Sequence, residues 1–249
     1  MRIPSAFAVA FAVVVTAATS AGAVPFDLYN TGVDNAGATL PDGTTPDLHY
    51  TLTAPGDTNV TLVRTSAGGF PILPVGPYVG DDSLSTWIGP NNAHDLNGPP
   101  GLYTYQTTFD LTGFNPLTAS ITGQWTTDNE GRGILLNGVD TGTGNSIAFG
   151  SSGNYSFESW HTFTITGTIT HPFLPGVNTL DFLIDNSTRD CGGDCSDNPT
   201  AVRVEMTASA TVSSGATPLP AALPLFASGL GAMGFIGWRR KRKTVTRAA

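Results

Sequence analysis

The sequence predicts an all-β protein, a β-sandwich of the jelly-roll kind, and three observations carry that prediction. Apolar residues recur at every second position in short runs, Gly, Pro, Asn and Asp separate the runs, and strong helix formers are scarce between them. The first candidate strands are Leu48 to Thr53, Val60 to Arg64 and Ser85 to Ile88. The clearest alternation follows. Tyr103, Tyr105, Thr107, Phe109 and Leu111 fall on one face, with Thr104, Gln106, Thr108 and Asp110 on the other, which is the pattern of a half-buried strand. Leu117 to Thr126 and Gly133 to Leu136 come next, and the second runs into Asn137-Gly138, a dipeptide that accepts the positive φ angles of a tight hairpin. Phe163, Ile165 and Ile169 then alternate with threonines, and Leu180, Phe182 and Ile184 repeat the period. Finally, Val202, Val204 and Met206 face away from Arg203 and Glu205. About nine strands of this length fit a two-sheet sandwich, with a helical turn expected only around Ser156 to Trp160.

Both ends of the chain read as addresses rather than fold. Met1 and Arg2 give a positive start, Ala6 to Ala18 is apolar except for Thr16, and Ala21-Gly22-Ala23 is a small-x-small exit, so residues 1–23 are expected to be a cleaved export signal. At the other end, Leu219 to Trp238 is uncharged and long enough as a helix to cross the ~30 Å hydrocarbon layer. The basic block Arg239, Arg240, Lys241, Arg242 and Lys243 within the tail 239–249 stays on the cytoplasmic side, which puts the preceding body outside the inner membrane. Between the addresses lie an irregular arm or edge strand (24–47), the sandwich (48–212) and a polar linker (213–218).

All nineteen acidic residues fall in the body, against Arg64, Arg132, Arg189 and Arg203, for a net charge of −15. Nucleic acid and anionic lipid surfaces are therefore poor partners, and no nucleic-acid partner is expected, because phosphate binding needs a cationic patch that four scattered arginines cannot form. Cys191 and Cys195 are the only cysteines, and an even count in an exported chain favours a disulfide closing the short loop between them.

The tail from Thr217 through Pro218, Leu219, Pro220 and Ala221, followed by the glycine-dotted apolar stretch and the basic block, resembles the PEP-CTERM class of sorting signals in its VPLPA variant. It departs from that class in having Leu219 where the eponymous motif has Glu, and from the variant in having Thr217 where it has Val. The resemblance implies recognition by an exosortase-type membrane transpeptidase of exopolysaccharide-producing Gram-negative bacteria. In the body, Trp125-Thr-Thr-Asp-Asn-Glu-Gly-Arg-Gly-Ile-Leu-Leu-Asn-Gly, then Pro175-Gly-Val-Asn-Thr-Leu-Asp-Phe, resembles the galactose-binding-domain-like sandwich, which implies carbohydrate association. Fold alone does not fix that function.

Sugar recognition needs an aromatic face and nearby groups to hold hydroxyls. Trp87, Trp125, Trp160, Tyr78 and Tyr155 are the aromatic candidates, with Asp128, Asn129, Glu130 and Arg132 as polar partners. Tryptophan in a sandwich is more often core than platform. Asp185, Asp190, Asp194 and Asp197 crowd one stretch and are candidate ligands for a structural calcium ion, although no EF-hand loop is present and acidic loops are commonly just solvated. No Gly-x-Ser-x-Gly elbow or His-Glu-x-x-His motif occurs, so no catalytic residue is assigned. The expectation is an exported, non-catalytic surface or matrix protein associated with exopolysaccharide. The export machinery, an exosortase and the inner membrane before processing are its other partners. A secreted glycoside-active enzyme using Asp128, Glu130 or Glu158, or a purely structural matrix protein or adhesin, are the alternatives.

Overall fold

The computed structural model describes residues 22–42, 45–55, 61–64, 78–90, 97–143, 155–167, 172–186 and 198–213. The strands are β1 (Ala23–Pro25), β2 (Tyr50–Thr53), β3 (Leu62–Arg64), β4 (Trp87–Gly89), β5 (Asn97–Gly98), β6 (Gly101–Asp110), β7 (Ser120–Asp128), β8 (Glu130–Leu136), β9 (Val139–Asp140), β10 (His161–Thr166), β11 (Val177–Asn186), β12 (Asn198–Pro199) and β13 (Ala201–Thr211). They form two antiparallel sheets. Sheet I runs β10-β7-β13-β4-β3 with β1 also on β13, sheet II runs β2-β6-β11-β8-β9, and β5 and β12 make a small separate ladder. The described residues thus form an all-β sandwich, and each expected strand is found in part, although Leu48, His49, Ser85 and Thr86 lie before their strands and Val60 and Ile169 fall outside the described residues.

Period-two patterning decides which faces meet. Tyr103, Tyr105 and Phe109 on β6, Phe182 and Ile184 on β11, and Trp125 on β7 are all buried between the sheets. Removing each such side chain from water contributes about 1.5–3 kcal/mol. Trp125 packs on Phe182 with ring centroids 5.6 Å apart. Gly123 lets β7 and β13 close over Phe163, since a Cβ there would lie 2.4 Å from the Glu205 carbonyl oxygen and 2.7 Å from the Phe163 ring. The Asn137-Gly138 hairpin forms as expected, with φ of 52° and 77°. Two further details differ from the sequence reading. Leu117 and Thr118 leave the expected strand for the 3-10 turn Pro116–Thr118, capped by Asn115 and started by Pro116, which donates no ladder hydrogen bond. Ser156 to Trp160 is a run of turns and bends without a helix.

The arm is tied along the edge of β13. Ala23 pairs with Thr211 and Val24 with Ala210; further along, the Thr31 N–H donates to the Val204 carbonyl at 3.1 Å and the Met206 N–H to Asn30 Oδ1 at 2.7 Å. The buried Asp47 carboxylate holds the arm's return by accepting from the Gly32 and His49 N–H groups.

This pairing gives the sandwich two distinct ends. At the lower pole, β1 meets the end of β13, and Phe114 bridges to Val212. At the upper pole, Asp128 pairs with Ala201, Glu130 with Asp185 and Gly101 with Asn186. The eleven residues of β13 separate the poles by about 33 Å. Among the described residues there is no α-helix, and none long and apolar enough to cross a membrane. Residues 1–21 of the expected signal and all of 219–249 lie outside them.

Candidate functional site

Alternation turns Arg203, Glu205, Thr207 and Ser209 of β13 to the outer face of sheet I. The register sets Thr126, Gln124, Thr122 and Ser120 of β7 beside them. β10 then adds Thr162 next to Gln124, Thr164 next to Thr122 and Thr166 next to Ser120. The upper part of this face is roofed by residues 78–86 and 155–160, while its lower part is an open field of hydroxyls.

Arg203 anchors the roof. Its side chain is 0% exposed, its Nε donates to Ser85 Oγ at 2.7 Å, its Nη1 donates to the Gly80 carbonyl, and its Nη2 lies 3.0 Å from Asp82 Oδ1 and 3.1 Å from Glu205 Oε1. The half-buried Trp160 ring lies over the guanidinium at 4.9 Å, a cation–π contact. Glu205 is saturated in turn, taking Ser85 Oγ on one oxygen and Gln124 Nε2 on the other, each at 2.8 Å. Neither charge is left alone, as burial requires.

Above this node the roof has its own small core of Trp87, Phe157 and Ala201, with Tyr78, Val79 and Tyr155 packed against it. Tyr78 stacks on Phe157 at 3.9 Å and donates its hydroxyl to Asp128 Oδ2 at 2.7 Å. Burial pushes the Asp128 carboxyl up to about 7, opposed by that hydrogen bond. The same burial, with the adjacent Asp128 charge, holds the Tyr78 hydroxyl protonated. Thr127 and Ser156 both donate to the Asn129 carbonyl, and Thr126 donates to the Ser156 carbonyl, so the turn after β7 is stitched to the roof.

At the upper pole Arg132, about half exposed, pairs with Asp185 through Nε at 2.9 Å and with Glu130 at 3.2 Å. Asn198 bridges Asn129 Oδ1 and Asn186 Oδ1 at 2.7 and 2.8 Å. Below the roof, a groove of about 350 Å³ crosses the outer face of sheet I, lined among others by Asn30, Leu84, Thr122, Gln124, Glu205 and Thr207. Its polar groups are hydroxyls and amides, and its one carboxylate is already paired.

The candidates chosen from sequence separate into three groups. Asp128, Asn129, Glu130, Arg132 and Asp185 do converge at the upper pole, but Asp128, Asn129 and Glu130 are buried and bonded inward. Trp125 and Trp87 are corrections to the platform reading: at 0% and 1% exposure neither ring offers a face to a sugar, because one fills the main core and the other the roof. Trp160 is the candidate tryptophan with part of its surface open, beside the groove through Arg203 and Glu205. Asp185 shares Arg132 with its cross-strand neighbour Glu130, and among the described residues no group of three or more His, Cys, Asp or Glu is placed to hold a metal ion. Asp190, Asp194, Asp197, Cys191 and Cys195 lie outside the described residues, as do Ala21 and the sorting residues. The sequence reading missed Arg203, Glu205 and Gln124. The available signal was an arginine between two valines in a body holding only four arginines. Comparison of the chain with protein-family models, curated proteins and solved structures finds no match.

Proposed function

We propose that the chain is an exported, non-catalytic surface protein, held at the inner membrane by its tail, sorted through an exosortase-type signal, and associated with exopolysaccharide outside the cell. One observation carries this reading: Ala23, the last residue of the expected signal, pairs with Thr211 near the start of the expected linker. Both addresses therefore attach to one end of the sandwich; removing the signal takes only Ala23 from β1 and leaves Val24 and Pro25 paired with Ala210 and Ser209. The interleaving of β7, β10 and β13 in one sheet with β6, β8 and β11 in the other supports the finer expectation of a galactose-binding-like jelly roll. Intact mass of the protein recovered from its native host tests the reading. The expected product begins at Val24 and lacks Arg239 to Lys243. A product that keeps the basic block argues for a permanent anchor, and one that keeps Met1 to Ala23 in the cytosol overturns export.

The polysaccharide association rests on the groove. Its lining carries the hydroxyls of Thr122 and Thr207 and the amides of Asn30 and Gln124, its one carboxylate is paired with Arg203, and the −15 body favours a neutral chain over an anionic one. The mature protein is expected to be retarded in gels containing neutral galactomannan or hydroxyethyl cellulose. The double variant Thr122→Lys with Thr207→Lys, at two exposed positions, should bind about tenfold or more weakly. Arg132→Ala, at the upper pole, should bind as the wild type does. Loss in Arg132→Ala with retention in the double variant moves the site to the pole, and no retardation in any neutral gel removes the association. The glycoside-active alternative has less support, since a reacting pair must reach the sugar and Asp128 and Glu130 are both buried.

A further inference from the structure

The lower pole is assembled from four segments that the fold brings to one surface. Residues 23–25 and 211–213 come together by strand pairing. Residues 110–118 join them through the Asn115 N–H on the Thr211 carbonyl at 2.7 Å and the Thr118 and Thr211 hydroxyls at 2.9 Å. Residues 172–177 join through the Leu111 N–H on the Gly176 carbonyl at 2.8 Å and the pairing of Val177 with Asp110. Large apolar side chains stand exposed on every one of these segments: Leu117 at 87%, Val177 at 67%, and Val212, Leu174 and Val24 less so. Of all the residues in the four segments only Asp110 is charged, and its carboxylate accepts from the Thr112 N–H and hydroxyl.

An end with a single charged side chain and five exposed large apolar ones, on a body of net charge −15, calls for a covering. What covers it follows from chain length. Leu219, where the uncharged run begins, is six residues beyond Ser213, so it lies within about 20 Å of this pole even if the chain between is fully extended. We propose that the lower pole is a lipid-contacting face. While the tail is in the bilayer, Leu117, Leu174 and Val177 rest in its interfacial layer, the strands stand away from the membrane, and the groove and upper pole face outward. This inference rests on the tethered reading above. It assigns the apolar pole a role that ends when the tail is removed, since a few side chains without a span hold a protein to lipid only weakly.

The test uses the full chain reconstituted into vesicles of brominated phosphatidylcholine, with Leu117→Trp, Val177→Trp and Leu102→Trp compared with the wild type. Leu102 is exposed at the upper pole and serves as the control. All three positions are solvent-facing, so folding is expected to be preserved and is checked by circular dichroism. The chain should float with the vesicles, with Trp238 supplying a quenched background in every sample. Leu117→Trp and Val177→Trp should lose emission beyond that background, and Leu102→Trp should not. A chain that floats while neither lower-pole tryptophan is further quenched overturns the lipid face and leaves the tether standing. Equal quenching at Leu102 overturns the upright orientation. Failure to float, with Trp238 unquenched, removes the tethered reading and this inference with it.

Discussion

Arg203→Ala is expected to lower the unfolding free energy by about 3–5 kcal/mol, the loss seen when one partner of a buried ionic cluster is removed. At roughly 2–4 °C per kcal/mol for a body of this size, the melting temperature should fall by about 10 °C. The size of the effect comes from what is left behind. Glu205, with 12% of its side chain exposed, keeps Gln124 and Ser85 but loses its cation, and the Gly80 carbonyl loses its donor. Trp160 also loses the guanidinium beneath it, so its fluorescence should report a loosened roof before the sheets unfold. Arg203→Lys keeps the charge and should recover only part of the loss, because an ammonium cannot reach Ser85, Gly80, Asp82 and Glu205 from one planar fork. Adding Glu205→Gln to Arg203→Ala should restore stability relative to the single variant, since the stranded charge is removed. Denaturant unfolding of the mature protein checks all three. A loss below about 1 kcal/mol in Arg203→Ala would place the arginine among ordinary surface residues and remove the account of the roof.

The same arginine shows what a sequence can and cannot disclose. The alternation on β13 correctly put Val202, Val204 and Met206 inward, because a period of two is a local property of extended backbone. It also implied that Arg203 and Glu205 face water, and here the inference stops at the sheet. Whether the second face is covered depends on residues 78–86, more than a hundred positions away, which return to lie across it. Trp125 and Asp128 fail as a sugar site for the same reason: in sequence Trp125 sits at the end of an expected strand with Asp128 in the polar stretch after it, but one side of β7 is closed by sheet II and the other by the roof. The arm was legible as irregular or as an edge strand but not placed, since its hydrogen bonds go to β13, far along the chain, and its own sequence has no period. By contrast Asn137-Gly138 was readable from two residues, because the turn needs only positive φ at both.

Asp128→Asn should remove a large share of the body's pH dependence between about pH 4 and pH 7. The buried Asp128 carboxyl titrates near 7 in the folded chain, against its ordinary value of 3.8 when unfolded. Between those values the folded state holds a proton that the unfolded state has released, so this group's contribution is fully present below about pH 4 and is lost as pH rises toward 7. Three units correspond to about 4 kcal/mol. Asparagine has nearly the same shape, carries no charge to desolvate, and still accepts from the Tyr78 hydroxyl. The variant should therefore match the wild type near pH 4, to within the ~1 kcal/mol of one rearranged hydrogen bond, and exceed it increasingly up to pH 8. Burial also raises Asp47 and Asp181, which slope the same way, so the diagnostic quantity is the difference between the two proteins and not either curve alone. Tyr78→Phe supplies the converse: it removes the hydrogen bond that favours the ionised carboxylate, so the loss of stability should extend to higher pH. Unfolding curves at pH 4, 6 and 8 decide the matter. Wild type and Asp128→Asn running parallel across that range would mean that water already reaches the carboxylate, and that the aromatic roof over Asp128 opens in the native state.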